Sequence, residues 1–420
     1  MRGNTMQLGA IADDLTGATD LAIALTNAGF ATVVVPEAGL VQPTREQDPS
    51  TADAIVVALK TRTSSVQDAV DRSLRALHWL QSKGCDQFYF KYCSTFDSTP
   101  AGNIGPVADH LLDALNARLT IVAPAFPATG RTVYQGNLFV YEKPLHESSL
   151  REHPLTPMRD SNIARLLAPQ VREDSAIELL DLDTIMRGTE AVKARVRAAL
   201  DAGTRYLVAD SVNETNLKTL AQACGDMPLI TGGSGLAQGL SGPHDSGAVE
   251  VTPHSGRRVV LCGSASRTTQ AQIRHALGTG RGIKIDTTLL RRNTSAAITD
   301  ILHNILNGDP DTLTVVYATA TPDDLVSSND AELIEHCLSS LAVKLNREES
   351  VTGLLIAGGE TSGAVVDALG ITAMSVGPQL APGVAWVQAP NPENDGLALV
   401  LKSGNFGTED LFTRAWSEKV

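Results

Sequence analysis

Short apolar runs rich in Val, Ile and Tyr alternate along the chain with longer stretches whose apolar positions recur at helical spacing. That alternation predicts strands joined by crossover helices in a mostly parallel sheet. In the first half, the runs at 8–12, 31–35, 54–58, 88–90, 119–123, 177–180, 206–209 and 229–231 read as strands, and 67–81 and 185–200 as helices. From 241 to 257 the chain turns to Gly, Pro, Ser and His without periodicity, which predicts a solvated linker. Beyond it the alternation restarts, with strands at 259–262, 283–286, 313–317 and 354–357 and helices near 268–277, 295–306 and 331–346. The expected fold class is α/β in two domains, 1–243 and 257–420 with a linker at 244–256, each a mostly parallel sheet flanked by helices. A chain of 420 residues also exceeds what one hydrophobic core ordinarily serves.

One region breaks the rhythm. Residues 132–141 read as two extended pieces around Gly136-Asn137, and 143–160 as a long polar segment with Pro144, Pro154 and Pro157. A loop of that length inside a compact domain is a binding element, a lid or a plain surface excursion.

Composition narrows the function classes. A formal net charge of −13 leaves no Lys/Arg field for a phosphate-rich polymer, so no nucleic-acid partner is expected. A small anion remains possible, because a few local cations outweigh the global sign within a Debye length. No apolar run reaches the roughly 18 residues of a membrane span, and the opening seven residues lack the apolar core of a signal peptide. A cytoplasmic protein without membrane contact is expected, with a homodimer as the base-rate assembly. The cysteines 85, 93, 224, 262 and 337 are scattered without metal-ligand spacing and read as reduced packing thiols.

Several segments carry candidate chemistry. The first strand runs into Ala12-Asp13-Asp14-Leu15-Thr16-Gly17-Ala18. Ligands gather at the carboxyl ends of parallel strands, so two adjacent carboxylates there suit a substrate hydroxyl or a metal. A helix cap accounts for one oxygen-bearing residue, not for three. The fourth strand runs into Lys91-Tyr92-Cys93-Ser94-Thr95-Phe96-Asp97. A lysine closing an apolar strand needs an anion, either Asp97, Asp13 or a ligand carboxylate, and the Ser94 and Thr95 hydroxyls suit a polyol. In the long loop, Arg131 and Arg159 can each grip a carboxylate through two parallel hydrogen bonds. Asp160 and Ser161 are either ligand-facing or caps of a helix starting near Asn162, and His146 and His153 read as ordinary loop residues.

In the second half a buried strand enters the glycine turn Gly358-Gly359-Glu360-Thr361, which opens a helix, and glycine lets backbone N–H groups approach an anion there. Similar small-residue turns follow at Gly263-Ser264-Ala265-Ser266 and at Ser403-Gly404-Asn405. None has Walker A or dinucleotide spacing, so a dehydrogenase reading fails on that ground. Together they would let adjacent strand ends converge on a polyphosphate, although each alone is as readily a tight turn. The run Thr231-Gly232-Gly233-Ser234-Gly235 closes the first half in the same style.

Taken together, IADDLTGATD (11–20), FYFKYCSTFDST (88–99), GNIGPVAD (102–109), HPLTPMRDSN (153–162), TGGSGL (231–236), GGETSG (358–363), APGVAW (381–386) and LKSGNFG (401–407) resemble the four-carbon acid-sugar kinase family over nearly the whole chain. The resemblance implies an N-terminal sugar-acid-binding domain, a C-terminal nucleotide-binding domain and an active site in the cleft between them. It implies that Ser264, Gly358, Gly359, Glu360, Thr361 and Gly404 contact ATP, with Ser266 beside them. It also implies that Asp13, Asp14, Lys91 and Asp97 surround the substrate, with Thr16, Ser94, Thr95, Arg131, Arg159 and Asp160 as further candidates. The chain has Leu15 where the family usually has an aromatic, and Cys262-Gly263-Ser264-Ala265-Ser266 where it has Ser-Gly-Ser-Cys-Ser.

The implied reaction is ATP-dependent phosphorylation of the C4 hydroxyl of a four-carbon sugar acid such as 3-oxo-tetronate, with Mg2+ among the phosphates. Asp13 or Asp14 would take the proton, the other being free to hold the metal. Rival expectations are a D-threonate or D-erythronate kinase and a sugar-acid-binding regulator without turnover.

Overall fold

The computed structural model describes residues 7–40, 49–152, 156–251, 256–321, 324, 328–348, 350–351, 353–391 and 394–416. His153, the opening residues 1–6 and the middle of the expected linker, 252–255, lie outside them. The described chain divides into two compact units, one running through Gly247 and the other from Ala248 onward.

In the first unit the strands are β1 (Leu8–Ala12), β2 (Thr32–Pro36), β3 (Ala54–Ala58), β4 (Gln87–Lys91), β5 (Thr120–Ala123), β6 (Arg131–Tyr134), β7 (Asn137–Val140), β8 (Lys143–Pro144), β9 (Ala176–Leu180), β10 (Thr204–Ala209) and β11 (Leu229–Gly232). Among the described residues, eight of them form an all-parallel sheet in the order β2, β3, β1, β4, β11, β5, β10, β9. Every residue of β1, β3 and β4 is buried. Helices cover both faces of such a sheet, which is why these strands read as continuous apolar runs rather than alternating ones. The helix Val66–Ser82 shows the complementary pattern: Ser65 accepts from the Asp68 N–H at its start, and Ala69, Val70, Ala76, Leu77 and Leu80 form its buried stripe. The chain moves from β1 outward to β2, returns through β3, then crosses to β4 on the far side of β1. The boundary between β1 and β4 is thus a topological switch point, where ligands bind parallel sheets.

In this unit one expected helix divides, and the two extended pieces expected over 132–141 are β6 and β7. The helix expected over 185–200 is two helices, Leu182–Met186 and Thr189–Ala202, separated at Gly188, whose φ of +96° favours glycine. The segment 131–144 forms a separate antiparallel sheet of β6, β7 and β8. Its turn at Gln135-Gly136 has φ values of +49° and +70°, the primed geometry of a tight hairpin, and both amides donate to the Asp210 carboxylate at 2.9 Å. This part of the long excursion is therefore stitched down at its tip. The expected linker is exposed over most of 241–250, and its described ends are tied down at a few points as well. His244 and Gly247 donate to the Gly29 and Thr26 carbonyls of the first unit, while Val249 donates to Val376 and Val251 is fully buried in the second.

The second unit contains β12 (Val259–Cys262), β13 (Arg281–Lys284), β14 (Thr314–Tyr317), β15 (Gly353–Ala357), β16 (Met374–Ala381), β17 (Val384–Asn391) and β18 (Asn394–Lys402). Their order is β13, β14, β12, β15, β18, β17, β16, parallel through β18 and antiparallel thereafter. Here the chain leaves β12 toward β13 and returns across it to β15, which makes the β12–β15 boundary a second switch point. The closing antiparallel strands were not expected from the sequence.

Candidate active site

Three strand ends meet at the first switch point. β1 delivers Asp13 and Asp14, β4 delivers Lys91, and the turn after β3 delivers Arg62. Arg62 donates from Nε to Asp13 Oδ2 at 2.9 Å, from Nη2 to Asp13 Oδ1 at 2.8 Å and from Nη2 to Asp14 Oδ1 at 2.6 Å. One guanidinium thus holds two adjacent carboxylates, a paired geometry that lysine cannot reproduce. The Arg62 turn is itself clamped: Asn103 Nδ2 donates to the carbonyls of Thr61 at 2.7 Å and Ser64 at 3.0 Å.

The two aspartates differ. Asp14 caps the helix Leu15–Asn27 by accepting from the Gly17 N–H at 3.1 Å, and it accepts from the Thr16 hydroxyl at 2.8 Å. Burial would raise its pKa, but the Arg62 and Lys91 charges outweigh it and hold Asp14 below 3.8. Asp13 has Arg62 as its side-chain partner, and there burial wins, pushing it above 3.8. Asp13 is the better proton acceptor of the pair.

Lys91 is buried, with its Nζ donating to the Tyr92 carbonyl at 2.9 Å. Its charge is felt at Asp14 and at the buried Asp20, whose carboxylate accepts from Ser234 at 2.6 Å. Asp97, which the sequence offered as its partner, instead accepts from Thr95 Oγ1 at 2.7 Å and from Cys93 Sγ at 3.2 Å. Burial and Asp97 push the Cys93 thiol up to about 11, so it stays protonated. Ser94 is half-buried beside this turn. The backbone approach of the Thr231–Gly235 run is real at Gly233, where a Cβ would sit 2.6 Å from the Pro124 carbonyl oxygen.

Of the long-loop candidates, Arg131 donates to the Thr129 carbonyl and has a buried Nε without a partner among the described residues. Its charge also acts on Asp20. Asp160 is engaged elsewhere: it accepts two bonds from Arg165 at 2.6 Å and one from the Asn162 N–H at 2.9 Å. The helix at Ile163 is capped by Asn162, not by Asp160 or Ser161. Arg159 is exposed. His146 bonds Ser161 Oγ at 2.7 Å.

In the second unit the three turns at the ends of β12, β15 and β18 converge. Gly263 and Ser264 donate their amides to the Ala357 carbonyl at 3.0 and 3.1 Å. Gly358, with φ +134°, opens the helix Gly359–Ala368, and its own N–H donates to the Lys402 carbonyl at 2.9 Å. Side-chain-free positions make the convergence possible: a Cβ on Gly263 would lie 2.0 Å from Thr361 Oγ1, and one on Gly404 2.4 Å from Ser264 Oγ. The exposed Gly359 and Glu360 form the first turn of that ten-residue helix, where helix N-terminal N–H groups and the helix dipole favour an anion. Ser266 caps the helix Arg267–Ala276 through the Thr269 N–H and donates to the Gly404 carbonyl at 2.5 Å, so its oxygen is committed to the framework.

Residues 8–240 match the family described as a sugar-binding N-terminal domain, and residues 259–412 the one described as a nucleotide-binding C-terminal domain. A 3-oxo-tetronate kinase of Cupriavidus necator is 45% identical over 428 residues, covering 97% of this chain and 96% of that protein. The chain belongs to the four-carbon acid-sugar kinase family. A second curated member, a 3-oxo-tetronate kinase of Pectobacterium atrosepticum, is 43% identical over 98% of this chain and 99% of its own. Among solved structures, one from Salmonella typhimurium LT2, described there as a tRNA synthase, superposes with a TM-score of 0.88 at 40% identity, covering 97% of this chain and 98% of that one. A Haemophilus influenzae protein superposes with a TM-score of 0.78 at 40% identity, covering 98% and 100%.

Within this acid-sugar kinase framework, sequence reasoning missed Arg62, Asn103 and Asp20. Arg62 stands four residues past the end of β3, whereas Asp13 directly follows β1 and Lys91 is the last residue of β4, so nothing in its local sequence marked it.

Proposed function

We propose that this chain is an ATP-dependent kinase that phosphorylates the C4 hydroxyl of 3-oxo-tetronate, giving 3-oxo-tetronate 4-phosphate. The near full-length identity to curated 3-oxo-tetronate kinases supports the substrate class. The observation that carries the chemistry is the cluster of Asp13, Asp14, Arg62 and Lys91 at a switch point of the unit matched by a sugar-binding family. We propose that the first unit holds the acid and the second the nucleotide. The net charge of −13 speaks against an RNA substrate.

Phosphoryl transfer asks the protein for positioning and charge neutralisation more than for covalent help. In this reading Asp13 accepts the C4 hydroxyl proton as that oxygen attacks the γ-phosphorus, because its pKa is raised and Arg62 holds both of its oxygens in place. Arg62 exchanges part of its hold on Asp13 for the incoming anion. Lys91 and Arg131 are the further cations available to the acid's carboxylate, and Thr16, Ser94, Thr95 and Asp97 to its oxygens. Arg159 and Asp160 are weaker contacts, one exposed and the other bound to Arg165. On the nucleotide side, Ser264, Gly358, Gly359, Glu360, Thr361 and Gly404 form the cradle, with Ser266 shaping it from behind. Asp14, kept ionised, is a hard oxygen donor that fits Mg2+, which would neutralise phosphate charge while keeping much of its water.

The test is ADP release with 3-oxo-tetronate, D-threonate and D-erythronate as acceptors. Turnover is expected with 3-oxo-tetronate in preference to the other two. Indifference to it would remove this substrate, and ligand binding that survives with no turnover at all would point to a regulator.

A further inference from the structure

β18 ends on Lys402, whose side chain is 0% exposed. Its Nζ donates to Thr269 Oγ1 and to the Gly404 carbonyl, both at 3.1 Å, and lies 5.9 Å from the centre of the Phe412 ring. Among the described residues no carboxylate pairs with it. The titratable group facing it is Cys262 at the end of β12, and burial pushes that thiol up to about 12, so it offers no negative charge. Lys402 is therefore a buried ammonium without a counter-ion, an arrangement a fold retains at substantial cost.

Its position gives that cost a purpose. The Gly404 carbonyl accepts from Lys402 Nζ, from Ser266 Oγ at 2.5 Å and from Thr269 Oγ1 at 2.9 Å. Three donors turn this oxygen inward. In a planar trans peptide the following N–H points the opposite way, so the Asn405 amide is presented on the side away from Lys402. The Lys402 carbonyl meanwhile accepts from the Gly358 N–H, which ties the cation's own backbone to the turn that opens the helix Gly359–Ala368.

Resting on the nucleotide reading of this unit, we propose that Lys402 is a positioning residue for polyphosphate. Its buried charge orients the Gly404 turn and is balanced only when a nucleoside di- or triphosphate fills the cradle above it. Adenosine, which carries no phosphate, gains nothing from it.

The experiment compares the full chain with Lys402→Met, close in volume and uncharged, in equilibrium binding of ATP, ADP and adenosine, and in KM for ATP and for the acid. Lys402→Met is expected to weaken ATP and ADP at least tenfold, to leave adenosine within twofold, and to raise KM for ATP without moving KM for the acid. An equal loss for all three ligands, or no loss, would overturn the proposal while leaving the nucleotide reading intact. A wild-type chain that binds neither ATP nor ADP would overturn both. If Lys402→Met does not fold, Thr269→Val, which removes one of the two groups holding Nζ, is expected to show the same phosphate-dependent loss at smaller size. Unchanged ADP binding in that variant would count against the proposal.

Discussion

Asp13 and Asp14 are neighbours in sequence with opposite electrostatics, and the pair can be told apart by titration. Asp13 is raised above 3.8 by burial, so if it is the base, the acidic limb of kcat/KM should lie above that value. Asp14 is lowered, and a limb below 3.8 would transfer the role to it. Asp13→Asn should reduce kcat by about 10²–10⁴-fold with acid binding retained. The stability contributions run in opposite senses as well. Asp14 stabilises the fold above 3.8 and loses that contribution as pH falls through its lower folded value, whereas stability falls as pH rises from 3.8 through the raised Asp13 value. Arg62→Lys keeps the charge and loses the three-bond grip, so kcat/KM should drop more than about tenfold, read by steady-state assay beside an unchanged far-UV spectrum. Asp13, Asp14 and Lys91 were legible in the sequence because each ends an apolar strand. Arg62 was not, since a Thr-Arg-Thr turn carries no pattern, and only the fold brings it to the two carboxylates.

At the scale of elements, the parallel strands other than β18 were placed closely, because burial on both faces leaves most of them as unbroken apolar runs. The antiparallel strands β16 and β17 escaped for a physical reason. Pro378, Pro382-Gly383 and Pro390 interrupt their runs, and proline ordinarily argues against a strand. β16 accommodates Pro378 through a register shift between Val376 and Gln379. The glycine turns were legible as turns that could converge, and the adjacent places of β12, β15 and β18 in the sheet bring them into contact. That contact can be tested by filling it. A Cβ at Gly404 would stand 2.4 Å from Ser264 Oγ and 3.1 Å from Ser266 Oγ. Gly404→Ala should raise KM for ATP several-fold, with KM for the acid unchanged. Gly363→Ala, a position with open space around it, should leave both unchanged.

For the molecule as a whole, Lys402 links nucleotide binding to pH. Burial lowers its pKa from 10.5 to about 8. Between those values the unfolded chain holds a proton that the folded chain has released, so stability without ligand should rise with pH across this window. The rise is at most about 3 kcal/mol from this group. Denaturant titrations at pH 7.5 and pH 10, followed by the fluorescence of Trp386 and Trp416, should show it in the wild type and not in Lys402→Met. Saturating ADP should flatten it, because a bound phosphate favours the protonated amine. The Gln135-Gly136 hairpin tip sets a different limit on the protein's behaviour. Hung from Asp210 by two amide protons, it acts as a fixed post rather than a swinging gate. Proteases should pass it over, a peptide tag spliced into it would pull β6 and β7 from their mooring, and the rate at which the acid arrives should owe nothing to its opening.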